Sequence, residues 1–375
     1  MIFLVNLARV IFAPLLSEFV AVFGIGEGTA GLIATLAWLG SALPRLPTGW
    51  VLTRVPREHV VLVAGTVLTI AAVVTASATS VVLVGTGALL MGLSSGVYFV
   101  AANPLVSELY PERVGWALGT HGMVSQVAAV IAAPFVTLVL ALFFDWRIVF
   151  VCIAAVAAVV TVVLFFVARA TEIPHAGTDD RDLIGAIRTQ WRVVLLGVAV
   201  IGTTGFVWQG LFNFYELYMG TKGLDGGTAR NLLTVIFAAG VPAFFVSGRL
   251  VDQLPRVPYI IGIVAAFVVS VLALTAASGF VSILLLTGII GYVIHSLFPA
   301  IDTYLLDTLP DDSRASAYAW YSAGMMAVQA TGASAVGNLR EAGLAYDVIF
   351  VGLALGLGGV VVGLTTLQRA GRIPQ

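Results

Sequence analysis

The chain has 375 residues, of which 60% are hydrophobic and only 10% are charged. Soluble domains carry roughly 25% charged residues, so this composition cannot cover a water-exposed surface and excludes a soluble globular protein. The formal net charge of −1 offers no basic face and argues against a nucleic-acid partner. Apolar runs of about 20 residues recur along the chain, as expected for membrane-spanning helices.

Breaks in apolar character predict twelve membrane-spanning helices. In chain order, the first six are predicted at 2–23, 29–52, 59–78, 81–106, 115–143 and 147–169. The second six are predicted at 193–220, 228–250, 257–277, 281–306, 315–339 and 346–367. The first apolar run has no basic residue ahead of it, so we interpret it as a spanning helix and not as a signal peptide.

A single long polar connection at 170–192 divides the chain almost in half, and it contains the charged run Asp179–Asp182. We therefore expect an all-α integral membrane protein with two six-helix bundles. The N-terminal bundle is predicted at 1–169 and the C-terminal bundle at 193–375. The connection at 170–192 is predicted to be a cytoplasmic loop.

The distribution of Lys and Arg predicts the orientation. If both termini are cytoplasmic, twelve of the 18 Lys and Arg residues fall on the inner side, namely Arg54, Arg57, Arg113, Arg169, Arg181, Arg188, Arg192, Arg249, Arg256, Arg314, Arg369 and Arg372. The outer side receives only Arg147, Lys222, Arg230 and Arg340. Because cytoplasmic loops carry the excess of Lys and Arg, we expect a multi-pass protein of the cytoplasmic membrane with both termini inside.

An internal repeat relates the two halves. Gly49, Pro56 and Arg57 between spans two and three recur as Gly248, Pro255 and Arg256 between spans eight and nine, all displaced by 199 residues. The same displacement relates Glu108-Leu-Tyr-Pro111 after span four to Asp307-Thr-Leu-Pro310 after span ten. Separated regions that keep one displacement indicate two six-helix halves of the same orientation.

The two loops resemble the Gly-x-x-x-Asp-Arg-x-Gly-Arg-Arg signature between the second and third helices of the major facilitator superfamily. The resemblance implies two bundles related by an axis along the membrane normal, with a midplane substrate site between them. It also implies that these loops latch helices on the cytoplasmic side, through Gly49, Arg54, Arg57, Gly248, Asp252 and Arg256. Thr53 stands where the family has Asp, so the first latch is expected to be weaker or differently paired.

Charged groups within the first two spans suggest an anion site. Asn6 and Arg9 are three residues apart and share a helix face. Arg9 lies roughly 10 Å from the cytoplasmic end at about 1.5 Å per residue, and Arg45 of span two lies at about the same depth. Two guanidiniums at matched depth predict a cationic locus for an anion. The alternative is that Arg9 extends to the cytoplasmic interface and Arg45 braces the latch loop.

Span seven combines polar and aromatic residues. The polar side chains Gln209, Asn213 and Glu216 follow the i, i+4, i+7 spacing of one helix face, and they stand among aromatic residues that include Trp208 and Phe212. An aromatic wall with a polar stripe suits a small polar or amphipathic solute. The resemblance implies that spans one, four, seven and ten line the cavity. Asn103 of span four therefore joins Asn6, Arg9, Arg45 and these span-seven residues as a candidate for substrate binding.

Four further ionisable residues are candidates for gating or proton coupling. Glu216 and Glu18 fall near the outer ends of their spans, and either they form an extracellular gate or they are interfacial carboxylates that face water. His295 lies in the middle of span ten, and Asp302 is seven residues further on the same face. This pair predicts a proton relay, because histidine titrates near physiological pH. The alternative for His295 is a packing role with a hydrogen bond.

Glycine pairs with four-residue spacing predict close helix packing at Gly92 and Gly96, and again at Gly352 and Gly356. Residues of spans five and eleven are secondary site candidates: His121, Ser125, Gln126, Tyr318, Trp320, Tyr321 and Gln329.

The sequence favours a secondary transporter that works by alternating access on a small anionic or polar solute, with protons as candidate coupling ions. A drug-efflux antiporter of the same superfamily is the alternative, although the run from Gly85 to Gly92 lacks the arginine that such antiporters often carry in span four. We expect a monomer in the lipid bilayer.

Two other classes are less well supported. A membrane enzyme needs clustered catalytic groups, whereas the four histidines are scattered and Cys152 is the single cysteine. We therefore predict no catalytic residue, no metal site and no cofactor, and no phosphate-binding loop for ATP is present. A non-transporting sensor would usually carry a soluble output domain, and the one soluble stretch here is about twenty residues long.

Overall fold

The structure is all-helical. The computed structural model describes residues 1–170, 183–310 and 313–374, without the side chains of residues 114 and 115. In these ranges the α-helices are α1 (Ile2–Val10), α2 (Leu16–Phe23), α3 (Glu27–Ala42), α4 (Arg45–Val51), α5 (Arg57–Ala76), α6 (Val81–Leu109), α7 (Val114–Phe143), α8 (Arg147–Ala170), α9 (Leu183–Gly197), α10 (Thr203–Asn213), α11 (Tyr215–Thr221), α12 (Gly226–Gln253), α13 (Arg256–Ala276), α14 (Phe280–Thr308), α15 (Arg314–Ala330), α16 (Gly332–Glu341) and α17 (Tyr346–Arg369). A 3-10 turn, Ala13–Leu15, joins α1 to α2, and a π-helical segment, Val198–Gly202, joins α9 to α10.

The helices fit the predicted twelve spans, some of which are interrupted. In the described ranges, nine helical segments are long and apolar enough to cross a membrane, and α1 with α2 makes a tenth span bent by 44°. The two remaining predicted spans are each broken. The first is divided into α3 and α4 beside Pro44, because proline removes a backbone donor. The second is divided into α15 and α16 at Thr331.

Two compact units make up the chain, Met1–Ile25 with Leu32–Arg181, and Gly26–Gly31 with Asp182–Gln375. We call them the N-unit and the C-unit. The grouping differs from the predicted division because the first turn of α3 belongs to the C-unit. Of the predicted central loop, residues 171–182, including Asp179–Asp182, lie outside the described residues, whereas residues 183–192 already form the start of α9. The helix therefore begins ten residues before the predicted start of span seven.

Large apolar side chains cover the outer faces of the helices. Val82, Phe166 and Val362 are 71%, 63% and 66% exposed, and each lies in the body or first turn of a long helix. Monomeric soluble proteins rarely expose contiguous apolar surface on this scale. These faces instead suit the hydrocarbon of a bilayer, and the molecule is a multi-pass membrane protein.

One of the two predicted glycine pairs packs as expected. Within the N-unit, a Cβ on Gly92 or Gly96 of α6 would collide with the backbone of α3 at Ala37 or Ser41. The prediction for Gly352 and Gly356 was wrong, because the structure places nothing within 4 Å of a Cβ at either position of α17. Small residues permit close approach, but they do not create a neighbouring helix.

Candidate functional site

Arg9 of α1 is held in a fixed position within the N-unit. Its Nη2 donates a hydrogen bond to Oδ1 of Asn6 at 2.7 Å, and Nδ2 of Asn6 donates to the carbonyl oxygen of Ser125 at 2.6 Å. The guanidinium carbon lies 4.3 Å from the ring centroid of Trp38 and 5.4 Å from that of Phe99. Asn6 therefore orients the guanidinium, and both rings lie within the roughly 6 Å at which a cation is attracted to an aromatic face.

The charge of Arg9 has no counter-charge in the part of the chain that the structure describes. No carboxylate there lies within 4.0 Å of its guanidinium, and its Nε is buried without a hydrogen-bond partner. Arg45 lies close enough for its own charge to repel that of Arg9. Nε of Arg45 donates to the carbonyl oxygen of Ser41 at 3.2 Å. The structure thus places the two predicted arginines close enough to interact electrostatically, and it leaves Nε of Arg9 without a partner among the described residues.

Trp38, Phe99 and Tyr98 were missed by the sequence analysis. They come from α3 and α6, and Tyr98 Oη lies 3.1 Å from Nε2 of the secondary candidate His121. No helical spacing connects these residues to Arg9, so only long-range packing could reveal them. The candidate Asn103 is exposed on α6, and Glu18 lies half-buried in the first turn of α2. Neither is among the hydrogen-bonding partners found for Arg9 in the described residues.

The polar stripe of span seven is divided in the C-unit. Nδ2 of Asn213 donates to Oε1 of Gln209 at 3.0 Å and to its carbonyl oxygen at 2.8 Å. Nε2 of Gln209 is buried and finds no partner among the described residues. The α-helix is interrupted at Phe214, so Glu216 belongs to the separate helix α11. The predicted continuous face therefore ends at Asn213.

Glu216 forms a buried ion pair instead of facing water. Nε of Arg230 donates to Oε2 of Glu216 at 3.0 Å, and Nη2 of Arg230 donates to Oε1 at 2.8 Å. The two residues are only 6% and 7% exposed. A bidentate geometry of this kind restrains both side chains. Arg230 falls on the predicted outer side, and no spacing in the sequence indicates that it pairs with Glu216.

His295 lies in an aromatic cluster, and it is not bonded to Asp302. Its ring centroid lies 5.6 Å from that of Phe237 and 6.0 Å from that of Trp208. Nδ1 lies 2.7 Å from the carbonyl oxygen of Gly291, which places the proton on Nδ1. Gly240 leaves room for the ring, since a Cβ there would come within 3.0 Å of it.

Asp302 has a different neighbour, because it accepts a hydrogen bond from Tyr318 Oη at 3.0 Å. Phe212 packs against Trp208 in the aromatic cluster, with ring centroids 5.5 Å apart. The described residues therefore contain no direct relay from His295 to Asp302. Any proton transfer between the two would need an intervening group.

Solved structures with the same fold are transporters. The chain resembles the xylose transporter XylE from E. coli in an inward-open conformation, with 13% identity, a TM-score of 0.76, and coverage of 97% of this chain and 93% of that chain. The nucleoside transporter NupG matches with 11% identity, a TM-score of 0.80, and coverage of 97% and 98%. A bacterial homolog of the human lysosomal transporter Spinster, inward-facing and unoccupied, matches with 18% identity, a TM-score of 0.72, and coverage of 97% and 93%.

The family model of the Major Facilitator Superfamily matches residues 1–333, and a second match covers residues 229–372. The chain belongs to the major facilitator superfamily. This membership confirms the resemblance drawn from the two loops, and it places the protein among membrane transporters and not among enzymes. No curated protein matches the chain. Within the described residues, no group of three or more His, Cys, Asp or Glu side chains could hold a metal ion.

The signature loop of this superfamily member is paired through its last arginine. Thr53 Oγ1 donates to the carbonyl oxygen of Trp50 at 2.7 Å, so it remains within its own turn. Arg57 forms an ion pair with Glu108 at the end of α6. In the C-unit, Arg256 forms an ion pair with Asp307 at the end of α14. Arg256 and Asp307 each follow their counterparts in the first pair by 199 residues. The repeated segments found in the sequence therefore form an equivalent ion pair in each half.

The other latch residues make fewer contacts. Arg54 is exposed and lies over the ring of Trp50, and Asp252 is exposed at the end of α12. Gly49 is buried, and Gly248 has open space around it. In the first signature loop, the contact to another helix is therefore made by Arg57, and Thr53, which stands where the family has Asp, makes none that the structure describes.

We expect Arg57→Gln to lower the free energy of unfolding by about 1–2 kcal/mol, between the values for exposed and buried ion pairs. The reason is that Glu108 would lose its partner while only 19% exposed. Arg256→Gln is the matched control. Its pair is 42% and 48% exposed, so the expected loss is below about 1 kcal/mol. Unfolding in mixed micelles measures both, and equal losses would contradict the role assigned to burial.

Proposed function

We propose that this protein is a secondary transporter that moves a small anionic solute or polar metabolite across the cytoplasmic membrane by alternating access. Both termini are cytoplasmic in this proposal, the working unit is a monomer, and protons are the candidate coupling ions. The observation that carries the proposal is the charge of Arg9 beside Arg45 in the N-unit, which has no carboxylate partner among the described residues.

The physical argument is the cost of an unpaired charge inside the membrane. An ionised side chain at the centre of a spanning helix costs about 2.5–3.5 kcal/mol on insertion scales, so such residues are retained where they bind something. Arg9 donates a hydrogen bond to Asn6 and lies over the ring of Trp38, and its Nε has no hydrogen-bond partner among the described residues. A guanidinium fixed in this way suits a carboxylate or another planar oxyanion, which accepts two parallel hydrogen bonds.

In the C-unit, polar groups are further candidates for substrate binding. Gln209 keeps an unbonded amide nitrogen, and Trp208 and Phe212 add apolar surface next to it in sequence. Glu18, His295 and Asp302 are the candidates for proton coupling. Glu216 is a weaker candidate, because its carboxylate is already paired with Arg230.

The test is flux into liposomes that contain purified protein, with an anion-weighted set of solutes that includes carboxylates and nitrate. For a transported anion, we expect Arg9→Gln to lower flux about 10- to 100-fold, the range for losing a hydrogen bond to a charged group. Arg9→Lys keeps the charge without the planar fork and should give an intermediate loss. Arg45→Gln should lower flux as well.

The control is Arg372→Gln, which removes a charge from the exposed C-terminal segment and should leave flux unchanged. Normal flux in both Arg9→Gln and Arg45→Gln would contradict the anion site. Flux of neutral hydrophobic compounds alone would favour the drug-efflux alternative. No flux of any solute would contradict the transport proposal.

A further inference from the structure

Cations at the two predicted membrane faces have different surroundings. The four on the predicted outer side each have a carboxylate partner: Arg147 with Asp145 at 3.5 Å, Lys222 with Asp347 at 3.2 Å, Arg230 with Glu216 at 2.8 Å and Arg340 with Glu27 at 3.2 Å. On the predicted inner side, Arg57 and Arg256 are paired in the same way. Among the other inner arginines that the structure describes, four lie over an aromatic ring and have no carboxylate partner there.

These four, Arg54, Arg169, Arg192 and Arg249, are all exposed. Each lies over an exposed aromatic ring, with the guanidinium carbon 3.8 Å from the centroid of Trp50, 4.1 Å from Phe165, 5.5 Å from Trp191 and 3.9 Å from Phe245, respectively. The rings are 56%, 38%, 50% and 61% exposed. In the described ranges, no carboxylate lies within 4.0 Å of any of the four arginines. We call these the four arginine–ring pairs.

Helix geometry explains three of the four pairs. Trp50, Phe165 and Phe245 each precede their arginine by four residues, and side chains at that spacing are neighbours on a helix surface. All three spans run toward the predicted cytoplasmic side, so the ring lies about one turn deeper than the charge. Aromatic rings favour the level of the membrane–water interface, which places the guanidinium at the level of the lipid headgroups.

We propose that the four arginine–ring pairs bind the phosphate headgroups of anionic phospholipids in the inner leaflet. The charge is complementary, and no carboxylate in the described residues competes for it. The exposed ring fixes the depth of the guanidinium against the apolar part of the same lipid. A free phosphate ion in water would gain nothing from the ring, so the ring distinguishes a lipid from a dissolved ion. This inference is independent of the transported substrate.

The test titrates the full-length protein in an uncharged detergent with short-chain phosphatidylglycerol or with phosphatidylcholine of the same chain length. Binding is read from the midpoint of thermal unfolding. We expect the wild type to prefer phosphatidylglycerol. Each Arg→Gln substitution at positions 54, 169, 192 and 249 should lower the affinity ratio about fivefold, from the attraction of one arginine to an anionic surface. None of these exposed arginines has a carboxylate partner among the described residues, so a single substitution breaks no described ion pair.

Two further variants identify the source of the preference. Trp50→Leu and Phe245→Leu keep the charges and remove the rings, and both should reduce the preference. Arg372→Gln removes an exposed inner arginine that has no ring beneath it among the described residues, and the preference should remain. The proposal is overturned if the wild type binds both lipids equally, or if Arg54→Gln and Arg249→Gln keep the full preference. It is also overturned if the ring variants are unchanged, or if inorganic phosphate stabilises the protein as well as phosphatidylglycerol does.

Discussion

Arg230→Leu is expected to lower the free energy of unfolding by about 3–5 kcal/mol, the usual cost of removing one partner of a buried ion pair. Glu216 would lose two hydrogen bonds from the guanidinium while it remained 6% exposed. Equilibrium unfolding of the purified protein in mixed detergent micelles measures this loss. We expect this loss to exceed the losses caused by Arg57→Gln and by Arg256→Gln.

The double variant Glu216→Leu with Arg230→Leu is the control for this prediction. Removing both charges leaves neither the carboxylate nor the guanidinium buried without its opposite charge, and replacing a buried pair by apolar side chains is often neutral or stabilising. We expect the double variant to recover most of the stability lost by Arg230→Leu. If it is as unstable as the single variant, the loss comes from packing around α11 and α12 and not from the orphaned carboxylate.

Gly92→Leu is expected to destabilise the N-unit by about 3 kcal/mol, at the upper end of the cost of overpacking. The reason is that a side chain at this position of α6 would meet the backbone of α3, including the carbonyl carbon of Ala37 and the α-carbon of Gly40 at about 3.0 Å. A backbone cannot move aside as a flexible side chain can. The same unfolding measurement in micelles checks the prediction.

Gly352→Leu is the matched control, with the same substitution in another long helix. Nothing lies within 4 Å of a Cβ at this position of α17, so the added side chain would meet no described neighbour there. We expect a change in stability close to zero. Equal destabilisation by both substitutions would show that helix propensity, and not the contact between α3 and α6, determines the effect.

The class of protein and its internal symmetry follow from local features of the sequence. Long apolar runs have few alternatives to spanning helices, because every backbone polar group must be satisfied within the membrane. The displacement of 199 residues, read from the loops alone, also links Arg57 to Arg256 and Glu108 to Asp307. The structure then joins these residues as two ion pairs. Repeated sequence produces repeated contacts because each half folds by the same local rules.

The breaks in the spans were less predictable. Pro44 marks the end of α3, but the separation of α15 from α16 at Thr331 follows no proline, and the start of α9 at Leu183 lies among charged residues that were assigned to a loop. Helix boundaries depend on which backbone groups find partners in neighbouring elements. That information is not contained in the apolar pattern.

Local features of the sequence predict twelve spans and membership of the major facilitator superfamily, and they select Arg9 and Arg45 as unusual charges. The surroundings of the candidate residues are visible only in the folded chain: Trp38 and Phe99 lie beside Arg9, Arg230 lies opposite Glu216, and Gly352 has open space around it. The physical reason is that helical periodicity specifies which residues share a face. The neighbour that meets that face is selected by packing between segments that are distant in the chain.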